Sequence, residues 1–273
     1  MRYAIRPAAV AAALAIFLVG SMGTARADDA AWKATHDTDP HLPLTAEQVE
    51  MTAEKRTAEP QDVDAPLAAS PSPDVVCGSC GGGGSYPTSA HLAANQTPQT
   101  TSYYCGPASV HEALGSVGVS LSQSVAATKL HTTTSGTAWS GGGTSPSGYP
   151  VPDVLNAMQN QNYYVPQPVS SATSSSIGTY KRDLEVDIYT IRAPLLGDAW
   201  EAPGGPHLVG HPTNREIFHW FEIRGYQNSG ASTMYEDSVH GASSISWSGS
   251  VPAYSTMASS TIVTIVAGRG YVW

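Results

Sequence analysis

The chain has 273 residues, and 22 acidic side chains against 13 Lys and Arg give it a formal net charge of -9. It has no basic stripe interleaved with aromatics, which excludes a binder that grips nucleic-acid phosphates. The length accommodates one medium domain and a tail.

The first residues read as an export signal. Arg2 and Arg6 supply a positive start, residues 7–20 form a short alanine-rich apolar run, and Ala25-Arg26-Ala27 is a small-x-small cleavage site. The run is shorter than the roughly 20 residues a membrane-spanning helix needs. A secretory signal peptide over residues 1–27 is therefore expected. The mature chain would begin at Asp28, be extracellular and have no membrane partner once the signal is removed.

Residues 28–75 carry eleven acidic side chains against Lys33, Lys55 and Arg56. The stretch is poor in large apolar residues and leads through Pro71-Ser72-Pro73 to the glycine run 81–84. Such a composition cannot bury enough surface to offset its ordering entropy. Residues 28–90 are thus expected to be a disordered pro-segment or linker, with one weak helix over 45–56 supported by Ala46, Val49 and Met51. Both a removable segment that masks a neighbouring site and a solvated stalk fit this reading. Cys77 and Cys80 form a Cys-Gly-Ser-Cys pair. Zinc would need two further ligands at matching spacing, and a redox motif would need a βαβ context; a small structural disulfide is favoured.

Globular composition begins near His91. Cys105 is the cysteine left over once Cys77 and Cys80 pair, and in an exported chain that suggests an intermolecular disulfide or a free, reactive thiol. It heads Cys105-Gly106-Pro107-Ala108-Ser109, and Pro107 suits the first turn of a helix that Gly115 stops. This places Cys105 at a helix N-terminus, where unpaired N–H groups and the helix dipole favour a thiolate. A cysteine that merely packs as a small hydrophobe is the plainer alternative, but export, odd count and helix start together favour the nucleophile. Gln99 lies six residues earlier. Its amide could share an oxyanion hole with the Cys105 backbone N–H, although most loop glutamines are simply solvated.

Ser120-Leu121-Ser122-Gln123 has the capping-box pattern for a helix over residues 120–130. Residues 153–159, after Pro152, place Val154, Leu155 and Met158 on one helical face. Leu184, Val186 and Ile188 then alternate with Glu185, Asp187 and Tyr189, which predicts a half-buried strand. The β-branched run 261–266 predicts a buried strand at the end of the chain. Helices early and strands late indicate an α+β fold and not repeating βαβ units.

A general base for Cys105 must come from nine histidines. Residues 219–226 alternate like a strand, Gln227-Asn228-Ser229-Gly230 is turn chemistry, and residues 233–237 read as the returning strand. A turn centred near residue 228 sets His219 opposite, or one step from, Asp237, with Cβ atoms about 4.5–5.5 Å apart if directly paired. That geometry lets a carboxylate fix an imidazole tautomer, although an ordinary surface cross-strand pair would look the same.

The segment from Gln99 through Cys105-Gly106-Pro107-Ala108, His219-Trp220 leading to Gly225-Tyr226, and Tyr235-Glu236-Asp237 together resemble the papain-type cysteine peptidases. The similarity is to the branch of the double-glycine leader peptidases and their stand-alone secreted relatives. It covers residues 91–273, and its specific part is Gln-x5-Cys-Gly-Pro-Ala. The resemblance implies a papain-like fold, with an N-terminal helical half bearing the cysteine and a C-terminal antiparallel sheet bearing His and Asp. It assigns the nucleophile to Cys105, the base to His219, the orienting carboxylate to Asp237 and the oxyanion donor to Gln99. Relatives often have glycine before the histidine and proline after the aspartate, where this chain has Phe218 and Ser238. Transporter-linked members carry membrane and ATP-binding domains that this chain lacks.

The expectation is a secreted, monomeric cysteine peptidase that hydrolyses peptide or isopeptide bonds in a peptide or protein substrate, without metal or organic cofactor. An acyltransferase of transpeptidase or transglutaminase type would use the same triad, and an inactive papain-fold binding module would keep the same fold. Specificity is expected from loops 135–149 and 194–214.

Overall fold

The computed structural model describes residues 22–37, 40–58, 76–77, 85–141 and 145–273. In chain order the elements are α1 (Met22–His36), α2 (Ala46–Thr57), β1 (Val76–Cys77), β2 (Ala90–His91), α3 (Cys105–Ser116), α4 (Gln123–Lys129), α5 (Pro150–Gln159), β3 (Pro166–Val169), α6 (Ser174–Glu185), β4 (Leu195–Glu201), β5 (Ile217–Gln227), β6 (Ser232–Glu236), β7 (Tyr254–Ala258), α7 (Ser259–Val266) and β8 (Arg269–Val272). A π-helical turn, Val186–Ile191, continues α6. The fold is α+β. The strands form one antiparallel sheet in the order β1-β2-β5-β4-β8-β3, with β6 on the other edge of β5 and β7 outside it.

The alternation of side chains along a strand builds two cores. Leu195, Ala199, Phe221, Ile223 and Tyr271 join Tyr180, Leu184, Ile188 and Ile262 from α6, the π turn and α7. Leu196, Trp220 and Val272 join Val110, Leu114, Ala126 and Leu155 from α3, α4 and α5. Helices from both halves of the chain therefore cover the sheet, and the expected division into an early helical half and a late sheet half does not hold. Among the described residues no helix is long and apolar enough to cross a membrane.

Several local expectations are met. Thr45 and Gln48 form a reciprocal capping box at the start of α2. Pro150 and Pro152 occupy the first turn of α5, and Asn160 ends it in the left-handed conformation. The helix expected over 120–130 exists but begins later. Ser122 is its N-cap, and Gln123, freed from a capping role, turns toward residues 98–100.

Two predicted strands are helical. Residues 184–189 form the end of α6 and the π turn, because Asp187 and Tyr189, which alternation assigned to solvent, are buried along with Val186 and Ile188. Residues 261–266 lie in α7. There Ile262, Val263, Thr264, Ile265 and Val266 are all buried, so packing on every side overrides the β-branched preference for strands.

Composition also misjudged the acidic N-terminal segment, whose described part packs on the domain. Lys33 of α1 is buried beside Asp29 and donates to the Thr264 and Ile265 carbonyls at the end of α7 (2.8 and 3.1 Å), satisfying helix-terminal acceptors. Lys55 of α2 meets Asp187 at 2.9 Å with both side chains almost inaccessible. Arg56 grips both oxygens of Asp183 at 2.9 and 2.8 Å. The cations at 33, 55 and 56 thus serve as partners for buried acceptors. Helix α1 spans the expected signal cleavage point, residues 1–21 lie outside the described residues, and so do Cys80 and the glycine run 81–84, on which the disulfide and linker readings depend.

Burial pushes the Asp187 carboxyl up to about 7 despite Lys55, and lowers Lys55 in turn. In such a pair desolvation offsets much of the attraction. Lys55→Met should lower the unfolding free energy by about 3–5 kcal/mol, because it strands a buried carboxylate. Lys55→Met combined with Asp187→Leu should restore wild-type stability or better, as urea unfolding will read.

Candidate active site

Helix α3 opens at Cys105 with no side-chain cap, so the thiol sits at the positive end of the helix. Gly106 is required by space: a Cβ there would stand 2.4 Å from Thr137 Oγ1. Thr137 is itself fixed by a 2.7 Å bond to Thr132, while its carbonyl accepts from the Trp220 indole at 3.0 Å. This close packing seats the start of α3 beside β5.

His219 lies near the start of β5, paired in the ladder with Ala199 of β4. Its Nε2 meets Asp237 Oδ1 at 3.1 Å, and the Cys105 sulfur lies near enough to act on the ring. Since Nε2 faces the carboxylate, Nδ1 is the nitrogen left for sulfur. Cys105, His219 and Asp237 therefore come together as expected, and all three are buried.

The route to the His–Asp contact differs from the one predicted. β5 and β6 pair Glu222 with Glu236 and Ile223 with Tyr235, with a bulge between Ile223 and Gly225. Extending that register would set His219 against Val239. The turn is centred between Ser229 and Gly230, since Gln227 pairs with Ser232, and this later centre sets the register; the bulge alters it by only one residue. Asp237 reaches His219 only because β6 ends at Glu236; the Asp237 backbone N–H then bonds Ala253 O at 3.1 Å, and its side chain is free to turn.

Gln99 is buried. Its backbone N–H donates to Ser238 O (2.8 Å), its Oε1 accepts from the Ser238 hydroxyl (3.2 Å), and its amide donates to Thr101 O (2.7 Å). The loop that carries it is tied down on three sides. Glu112 of α3 accepts from Thr97 N, Gln123 of α4 accepts from Thr100 N and donates to Pro98 O, and Gln96 donates to Asp237 O. Ser238 is thus the residue that links Gln99 to Asp237. Phe218 is 48% exposed and stacks on Trp200 with centroids 5.7 Å apart.

Two further residues escaped the sequence reading. His211 Nε2 lies 3.0 Å from Asp237 Oδ2, and its Nδ1 lies 2.8 Å from Glu201 Oε2. Both side chains are wholly buried. Loop 194–214, expected to serve specificity, in fact begins with the central strand β4, and its remainder delivers His211. Gly210, with φ of 85° and a would-be Cβ 2.1 Å from Ser250 O, makes the close approach that places it. Nothing in periodicity marks a histidine in a glycine-rich loop.

Burial opposes charge on His219, yet the Asp237 carboxylate and the Cys105 sulfur lift it well above the ordinary imidazole range. Burial likewise works against charge on His211, and its bonds to Asp237 and Glu201 overcome it. Asp237, though buried, is held well below the usual carboxylate range by His219 and His211. His211, His219 and Asp237 offer donor atoms within 4.8 Å of one another, the one such trio that could hold a metal among the described residues. Each imidazole aims Nε2 at the carboxylate at hydrogen-bond distance. A cavity of about 750 Å³ between α2, α5 and residues 145–147 lies apart from all four expected site residues.

Comparison with models of known families, with curated proteins and with solved structures returns no significant match.

Linkage fixes how this cluster contributes to stability. Asp237, depressed in the fold, stabilises above its unfolded value near 3.9 and loses that contribution as pH falls further. The raised imidazoles stabilise below about 6.5 and lose that contribution as pH rises through their folded values. The stability gap between wild type and Asp237→Asn should therefore be widest between about pH 4 and 6.5 and narrow on either side, as urea titrations across that range will show.

Proposed function

We propose that the chain is an exported cysteine peptidase with a papain-like catalytic domain, acting through Cys105, His219 and Asp237. The observation that carries the reading is the contact line from the Cys105 thiol, at the uncapped start of α3, through His219 to Asp237 at 3.1 Å. A buried thiol at a helix N-terminus with an imidazole base and an orienting carboxylate is the requirement of nucleophilic acyl transfer.

The steps follow from the atoms present. The Cys105 thiol passes its proton to His219, and sulfur attacks the carbonyl carbon of a peptide or isopeptide bond. The oxyanion forms against the start of α3, where the Cys105 backbone N–H and the second amide hydrogen of Gln99 are the candidate donors. The intermediate collapses as His219 returns its proton to the departing amine, leaving a thioester on Cys105. Water then attacks the thioester with its proton taken by His219, and the acid is released as the thiol reforms. Asp237 stabilises the imidazolium throughout. These steps use only side chains and water. A peptide or protein is the substrate class, and a monomer suffices for the site.

Cys105→Ala should abolish hydrolysis of a denatured-protein or peptide-library substrate, a loss of at least about 10⁴-fold. It should also remove the adduct that an epoxide probe leaves on the peptide containing residue 105, read by mass spectrometry. Full activity in that variant would sink the reading. Asp237→Asn, by leaving His219 poorly oriented, should cost about 10²–10⁴-fold in kcat while the protein still folds.

A further inference from the structure

We propose that His211, held by Glu201, is a positioning residue that fixes Asp237 from behind and balances its charge, extending the catalytic line to Cys105–His219–Asp237–His211–Glu201. The inference rests on the peptidase reading for its kinetic consequence but not for its structural one.

A neutral imidazole has one N–H and one acceptor nitrogen. Both nitrogens of His211 face carboxylate oxygens, Glu201 at 2.8 Å and Asp237 at 3.0 Å, and ionised carboxylates only accept. Set between two ionised carboxylates, His211 carries both protons as an imidazolium. The remaining oxygens are also committed. Glu201 Oε1 accepts from Leu208 N at 2.6 Å, and Asp237 Oδ1 accepts from Val239 N at 2.9 Å as well as from His219. Trp247 closes the outer side of the His211 ring at a centroid distance of 4.7 Å. The carboxylate of Asp237 thus has no freedom to rotate away from His219.

The charge matters as much as the orientation. Asp237 alone would hold the His219 proton tightly, and a proton held too tightly is slow to pass to a leaving amine. A cation on the far side of Asp237, with ring centroids 5.3 Å from His219, weakens that hold. The other groups facing the pair come from several elements. Cys105 and Glu112 face it from α3, Glu201 from β4 and Tyr235 from β6, while Lys33 of α1 faces Glu201. Burial pushes the Glu112 carboxyl well above its usual range and the Tyr235 phenol up to about 12.

The test joins spectroscopy to kinetics. In the wild-type protein, ¹⁵N signals of His211 should show both ring nitrogens protonated through neutral pH; a neutral His211 would overturn the proposal. His211→Gln removes the cation, and should raise the pH at which His219 titrates, and with it the alkaline limb of kcat/KM. The shift should be about two pH units, the size expected for unit charges about 5 Å apart at an effective dielectric near 20. The same variant should lower kcat by about tenfold or more, as loss of outer-shell partners does elsewhere. Because His211→Gln leaves Glu201 buried beside an amide and the variant could fail to fold, His211→Gln with Glu201→Gln is the second variant. It removes both charges, keeps a donor for Asp237, and should shift His219 in the same direction by a smaller amount. A folded double variant in which His219 titrates as in wild type would overturn the proposal, whatever its stability. If the wild type hydrolyses no peptide, the peptidase reading falls, while the ¹⁵N titrations still decide the role of His211.

Discussion

The site depends on a carboxylate that two imidazoles share in the protein interior. Asp237 is buried and ionised, a state that costs several kcal/mol unless opposite charge and hydrogen bonds surround it. His219 and His211 supply the charge, and Val239 N supplies a further donor. Each of these comes from a different segment: β5, the loop after β4, and the turn beyond β6. One ion thereby dictates where three parts of the chain must meet. Cys105 joins through His219, so the nucleophile is placed by the same constraint.

The loop that carries Gln99 follows the same logic on the other side. It has no regular structure of its own, so its backbone groups need partners from elsewhere. Glu112, Gln123 and Ser238 provide them, from α3, α4 and the residue after Asp237. The Glu112 and Gln123 side chains that do this are buried, and Glu112 sits on the helix that Cys105 begins. The loop, the nucleophile helix and the aspartate are therefore parts of one hydrogen-bonded assembly, and disturbing any of them moves the others.

Much of the candidate site was legible in the sequence because its chemistry is local. Cys105 followed by Gly106 and Pro107 announces a helix start, and His219 and Asp237 flank a turn whose residues are readable. The register was not readable, since the turn is centred between Ser229 and Gly230 and not near residue 228. His211 and Glu201 could not be found at all: their partnership spans a loop whose course is set by the close approach at Gly210, and spacing carries no trace of it. The strand assignments over 184–189 and 261–266 failed because most residues of both segments are buried, polar ones such as Asp187 and Thr264 included. In such segments the alternation of apolar and polar residues no longer reports which way a side chain points.

The N-terminal segment shows why composition alone misleads about order. Few large apolar residues were read as an inability to pack, on the assumption that apolar burial is the only available compensation. Here the segment contributes cations to acceptors that the rest of the chain has already buried. Asp183 and Asp187 lie inside the far core, and the carbonyls closing α7 lie beneath α1. Without Lys55 and Arg56 those two carboxylates would be buried with no cation in contact. The dependence therefore runs from domain to segment as much as the reverse. A segment that only plugged a cleft would leave an intact domain behind when removed. Residues 33, 55 and 56 pair with acceptors buried in the domain, so removing the segment that carries them would strand those charges.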